Sequence, residues 1–353
     1  MAKGQNFNAS GGKKMKWIIT GGAGFIGCNF AQRLAERGDE AVIIDNLSRP
    51  RVDQNSIWLR EKYGVHTIRE DIRDRNAISQ VFKNNADAAA IIHLAGQVSL
   101  LDSLENPRND FETNVSGTFN VIECFKEHIP NAHLIFSSTN KVYGDLEKID
   151  FREEDSRYSA NEYKNGFNET IEIAPAGGYG VSKCAAEFFI SDWGKTFGLK
   201  TTVLRQSSIY GERQFSTSDQ GWAAFFVERF LRKETFTING NGKQVRDLLH
   251  VEDLFMLVDA ILQSSGSALG TFNIGGGIRN SLSLLELFDL LSEVTGNRPT
   301  YMSGARRPHD QLVFVSDNSK ICEVLGWQPT IDVHSGIMRL VNWTSDNLLS
   351  GHP

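Results

Sequence analysis

The stretch Trp17 to Cys28, WIITGGAGFIGC, constrains this chain more than any other. A short apolar run, Trp17-Ile18-Ile19, reads as a buried strand and passes straight into the turn Gly21-Gly22-Ala23-Gly24-Phe25-Ile26-Gly27. Apolar residues at helical spacing follow from Asn29 to Ala35. Strand, glycine turn and helix together present backbone N–H groups and the positive end of a helix to a phosphate. Gly21 suits a tight turn, Gly24 lets the backbone approach a pyrophosphate, and Gly27 lets the helix lie close on the strand. A second apolar run, Ala41 to Ile44, ends at Asp45, near the spacing of about twenty residues at which a carboxylate meets a ribose diol. A carboxylate there repels a 2′-phosphate, which favours NAD over NADP. Gly21, Gly24, Phe25, Ile26, Gly27 and Asp45 therefore read as a dinucleotide site.

Four more runs, Val65–Ile68, Ala88–Ala95, His133–Phe136 and Thr201–Arg205, read as strands. Helical spacing lies between them, as from Asn114 to His128. That alternation predicts an α/β fold, a doubly wound Rossmann-type parallel sheet. After Gln206 the composition turns to Gly, Gln, Ser and Asp with aromatics such as Tyr210, Phe215 and Trp222, which reads as a smaller, interleaved C-terminal substrate lobe. The expected division is 1–14 as a disordered extension or tag remnant, 15–205 as the NAD-binding domain and 206–353 as the lobe. The chain is expected to return to the first domain around 245–262. The polar stretch Gly144 to Ala176 reads as a long loop or insertion. Leu94, Ala95 and Gly96 are small enough at a strand end for a cofactor to pass over. Asp71-Ile72 either edges an adenine ring or caps a helix. His93, inside an apolar run, reads as a packed core histidine.

A net charge of −6 leaves no basic field for nucleic acid or an anionic membrane surface, so an anionic substrate needs local cations. The apolar runs are too short to span a bilayer, and Met1 to Lys16 lacks the apolar core of a secretory signal. Cys28, Cys124, Cys184 and Cys322 show neither metal-ligand nor disulfide spacing. They read as reduced thiols of a cytoplasmic protein without a metal site.

Tyr179 and Lys183 are four apart and so share one helix face. A nearby ammonium favours the phenolate, which turns a tyrosine into a general base for a hydroxyl proton. Thr139, ending the run Ser137-Ser138-Thr139 at a strand tip, can hydrogen-bond the same substrate oxygen. An isolated Tyr-x-x-x-Lys is usually a solvated helix face; coupled to a dinucleotide site, it is a catalytic pair.

Together, Gly21-x-x-Gly24-x-x-Gly27, Asp45, Ser137-Ser138-Thr139 and Tyr179-x-x-x-Lys183 resemble the extended short-chain dehydrogenase/reductase family, and within it the nucleotide-sugar epimerases and dehydratases. The likeness runs from Met15 to the C-terminus. It implies that Asn46, Ser48, Asp71, Ile72, Leu94, Ala95, Gly96, Asn114, Tyr179 and Lys183 also hold NAD. On the substrate side it implies Gln97, Ser99, Thr139, Ser207, Ser208 and Gln214. It further implies that Arg246 and Arg307 take the diphosphate and Asp310 the nucleoside ribose. Leu325-Gly326-Trp327-Gln328-Pro329 resembles the family's C-terminal signature, a packing element.

The dehydratases carry an Asp-Glu pair after the Ser/Thr; here Asn140-Lys141 follows Thr139, which disfavours dehydration. The 4-epimerases place Asn after Arg-x-x; here the segment is Arg205-Gln206-Ser207-Ser208. The segments 137–144, 205–211 and 219–222 look most like the 2-epimerases that act on CDP-sugars. The resemblance thus implies epimerisation at C2 through transient oxidation, in a homodimer or homotetramer. A 4-epimerase, dehydratase or dehydrogenase on another nucleotide sugar is the alternative, and an NAD-responsive binding protein is a third reading.

Overall fold

The computed structural model describes residues 14–217, 220–264, 266–307 and 310–349. The expected N-terminal extension lies outside the described residues apart from Lys14, as do Asp219 and the Pro308-His309 pair beside Arg307. Seven parallel strands form the main sheet: β1 (Lys16–Thr20), β2 (Glu40–Ile44), β3 (Thr67–Ile68), β4 (Ala90–His93), β5 (His133–Thr139), β6 (Lys200–Gln206) and β7 (Gly270–Ile274). Their order is β7-β6-β5-β4-β1-β2-β3. The order reverses between β1 and β4, and ligands of open α/β sheets sit outside the carboxyl ends of strands at such a point.

Buried aliphatics on both faces of the strands explain the parallel sheet. Ile19, Ile43, Ile92 and Ile135 pack on one side with Leu254 and Val258. Ile18, Ile91, Leu134 and Phe136 pack on the other with Val121 and Ile122. The helix Val251–Gln263 packs on the first of these faces, and β7 adds the last strand to the sheet edge. Strand Val245–His250, just before them, stays in the lobe, where it pairs with Ser208–Tyr210, Ser281–Ser283 and Val313–Phe314.

The polar stretch 144–176 carries a hairpin, Phe151–Glu153 with Tyr158–Ala160, and its Phe167 bridges to Ser316. Phe167 is buried among Tyr143, Phe314 and Val315, and Arg157 grips both carboxylate oxygens of Glu286. Tertiary packing therefore orders a segment that has no periodicity of its own.

His93 is a core residue, with Nδ1 2.6 Å from Thr20 Oγ1 and Nε2 2.9 Å from Thr118 Oγ1. Burial pushes its ring down to about 3, and that of His133 down to about 4. The unfolded chain takes up these protons first as pH falls, so their stabilisation is present above the unfolded value and drains away below it. Between pH 7 and pH 5 each is expected to cost about 2 kcal/mol. Urea unfolding at the two pH values measures the loss, and His133→Gln should remove about half of it.

Candidate active site

A cleft of about 820 Å³ opens where β1, β4 and β5 end. Gly21, Gly24, Phe25, Ile26, Gly27, Asp45, Asn46, Ser48, Asp71, Ile72, Leu94, Ala95 and Gly96 line one part of it. Gln97, Ser99, Thr139, Tyr179, Ser207 and Gln214 line the rest. The helix behind the glycine turn spans Phe25–Arg37, starting before the Asn29 at which its periodicity becomes visible. No side chain among the described residues caps it, so the N–H groups of its first turn face the cleft. Gly21 has a positive φ of 69°, and a Cβ there would stand 2.7 Å from Ala95 N. A Cβ on Gly27 would stand 2.5 Å from Gly21 O. The turn therefore admits no side chain at either position, and the first-turn amides of the helix behind it fit a pyrophosphate.

Asp45 accepts from Leu47 N at 2.9 Å and from Ala23 N at 3.1 Å, while burial raises its carboxyl above the ordinary range. Asp71 accepts from Asn46 Nδ2 at 2.8 Å, and the two-pronged Arg73 guanidinium holds its carboxyl down at about 2. The following helix, Arg75–Asn84, is capped by Asp74 and not by Asp71, which lines the cleft.

Thr139 closes β5 and Tyr179 enters from the helix Gly177–Phe197, and both line the cleft. Ser103 fastens the first turn of that helix by accepting from Tyr179 N at 2.8 Å. Burial raises the phenol above its ordinary value, the Thr139 hydroxyl beside it lowers it, and the charges of Asp110 and Arg49 act in opposite senses. Lys183 follows Tyr179 by one turn of the same helix. Its Nζ sits 4.1 Å from the Phe136 ring centroid, and burial pushes it down to about 7 against the opposing pull of Glu187. The lysine thus lies behind the Gly96 wall: a Cβ on Gly96 would stand 3.8 Å from its Nζ.

Asn114 also lies behind the cleft. It is buried, accepts from Gln97 N at 2.8 Å and donates to Gln97 O and Ser182 Oγ, each at 2.9 Å. A π-helical segment, Phe111–Gly117, widens the helix there and turns Asn114 onto the Gln97 backbone. Ser208 accepts from Trp222 Nε1 at 3.1 Å and keeps its own O–H to donate, while the Ser207 hydroxyl donates to Asp247 and keeps its acceptor lone pairs. Arg246, Arg307 and Asp310 stand apart from the cleft lining; Arg246 Nη2 donates to Asp310 Oδ1 at 2.6 Å.

Sequence reasoning missed Asp110 and Glu187. Asp110 is buried beside Gln97 and Ser103, and Glu187 continues the Tyr179, Lys183 helix face by four more residues. The i, i+4 spacing from Lys183 was the available signal for Glu187. Among the described residues no cluster of His, Cys, Asp and Glu could hold a metal, and no helix is long and apolar enough to cross a membrane.

A doubly wound sheet with a glycine turn, a strand-end carboxylate and a Thr-Tyr pair in one cleft defines a dinucleotide-dependent enzyme class. The chain belongs to the NAD dependent epimerase/dehydratase family, which it matches over residues 17–275. It is 41% identical over 337 residues to the CDP-paratose 2-epimerase of Salmonella typhi, covering 94% of this chain and 99% of that one. It is also similar to the crystal structure of Thermotoga maritima UDP-glucose 4-epimerase with UDP-glucose, at a TM-score of 0.80 and 29% identity over 95% and 100% of the two chains. The UDP-glucose 4-epimerase of Thermus thermophilus in complex with NAD gives a TM-score of 0.79 at 28% identity, over 95% and 100%.

Proposed function

We propose that this protein is an NAD-dependent nucleotide-sugar epimerase that inverts C2 of a CDP-sugar, converting CDP-paratose to CDP-tyvelose. The observation that carries the reading is that Thr139 and Tyr179 stand together on the wall of the cleft that holds the glycine turn and Asp45. Full-length similarity to a 2-epimerase supports the choice of carbon and base. NAD, when bound, supplies a reversible hydride acceptor and a positively charged ring. Tyr179 takes the proton from the sugar hydroxyl and returns it, while Thr139 orients the oxygen. Lys183 holds the nicotinamide ribose and its charge favours the phenolate, while Asn114 fixes the Gln97 backbone behind the wall. Arg246 and Arg307 hold the diphosphate, so the flattened sugar can turn over without leaving.

Proton NMR of products from a panel of CDP-, UDP- and GDP-sugars in deuterated water tests this. The expected result is a C2-inverted CDP-sugar without solvent deuterium on carbon. A deuterated deoxyketo sugar, or net release of NADH, would overturn it.

The helix Gly177–Phe197 and the neighbouring helical segment expose Phe111, Val181, Phe188, Phe189 and Phe197, an apolar face too large for a lone solvated helix. We assign this face to a homodimer. Light scattering should show a dimer, and Phe188→Glu should shift it to monomer. The buried free thiols Cys28, Cys124 and Cys184 support a reducing, cytoplasmic setting.

A further inference from the structure

The turn Asn140–Tyr143 joins the end of β5 to the lobe, and it brings a cation that the mechanism has not used. Lys141 follows Thr139 by two residues, so its backbone lies within about 7 Å of the group that orients the reacting oxygen. The turn is held from both sides. A Cβ on Gly180, one residue past Tyr179, would stand 2.8 Å from Lys141 O. Gln311 Nε2 donates to Asn140 O at 3.3 Å and to Gly144 O at 2.7 Å, which ties the turn to the segment carrying Asp310. The charges that reach the Lys141 ammonium are those of Arg246, Asp310, Asp145 and Arg306.

Lys141 therefore stands between the reacting pair and the Arg246–Asp310 cluster, on a turn clamped to both. Lys141, Arg246 and Arg306 are the cations of that cluster, and Asp310, Asp145 and Asp247 its carboxylates. Burial and the Arg246 guanidinium push the Lys141 ammonium down to about 8. A phosphate held by Arg246 would lie beside this ammonium and favour its charge.

We propose that Lys141 binds the sugar-proximal phosphate of the nucleotide sugar, the phosphate nearest to Thr139 and Tyr179. The inference rests on the nucleotide-sugar reading above. It deepens that reading by naming the cation that joins diphosphate binding to sugar placement.

Calorimetric titration of the NAD-loaded protein with CDP, CMP, UDP and UMP tests it. Lys141→Met should weaken CDP by about tenfold or more, the loss of one charge-assisted phosphate contact. CMP, which lacks the distal phosphate, should bind the variant as it binds the wild type. Lys141→Arg should keep most of the CDP affinity. If Lys141→Met loses NAD and fails to fold, Lys141→Gln is read in the same way. Equal CDP affinity in variant and wild type, or equal losses for CDP and CMP, would overturn the role of Lys141 alone. Wild type that binds none of the four nucleotides would instead overturn the nucleotide-sugar reading itself.

Discussion

Tyr179→Phe is expected to lose about 10²–10⁴-fold in turnover, the range that a positioned proton-transfer group contributes. NAD affinity should be nearly unchanged, because the glycine turn, the first-turn amides of the helix Phe25–Arg37 and Asp45 are untouched. Stopped-time NMR of the sugar and equilibrium binding of NAD measure the two quantities separately. Wild-type turnover in the variant would remove the phenol from the mechanism.

The electrostatics add a second expectation. Burial and Asp110 both hold the phenol above its ordinary value. Asp110→Asn removes a charge that opposes the phenolate, so the acid limb of kcat/KM should move to lower pH. The direction follows from the sign of the charge, since a nearby anion disfavours a second one. An acid limb that stays in place or moves upward would show that Asp110 does not act on Tyr179.

How much of this was legible in the residues depends on what makes each feature. β1, β2 and β4–β6 show as apolar runs because strands buried on both faces need nothing else. β3 is a two-residue strand that was visible through Val65 to Ile68. β7, GTFNI, was missed because Gly270, Thr271 and Asn273 break the run. Asn273 is held by partners far off in sequence: its N–H donates to Glu169 and its side chain to Phe167 O. The glycine turn, Asp45, Thr139 and Tyr179 were readable because their spacing is the chemistry. Asn114 and Lys183 were assigned to the cofactor on resemblance, and the fold buries both, Asn114 on the Gln97 backbone and Lys183 across the Phe136 ring. No spacing rule could have shown that depth. It depends on the π-helical widening at Asn114 and on Phe136 taking the lysine across its ring.

Glu187→Gln is expected to have the largest effect on stability. Arg205 is 5% exposed and meets Glu187 through Nη2 at 2.5 Å and Nε at 3.1 Å. Ser138 Oγ adds a donor at 2.7 Å to the other carboxylate oxygen. Arg205 Nη1 donates on to the Tyr143 hydroxyl, which donates to Asn273 Oδ1 on β7. One carboxylate thus ties the catalytic helix to β5 and β6, and through Arg205 to β7. Loss of its charge leaves a buried guanidinium uncompensated, at a cost of about 3–5 kcal/mol in urea unfolding. The double variant Glu187→Gln with Arg205→Met should recover most of that loss, because removing both charges leaves no buried ion. Activity should not recover with it. Glu187 is the group that raises Lys183 against burial, so both variants should carry a lysine still less able to hold its proton near neutral pH. A single variant within about 1 kcal/mol of wild type would mean that water reaches Arg205 and that the pair is not buried in solution. Recovery of stability together with full activity in the double variant would separate the network from the site. Stability restored without activity would place Glu187 where the structure does, in one face with Tyr179 and Lys183, holding the fold and the lysine's charge with the same two oxygens.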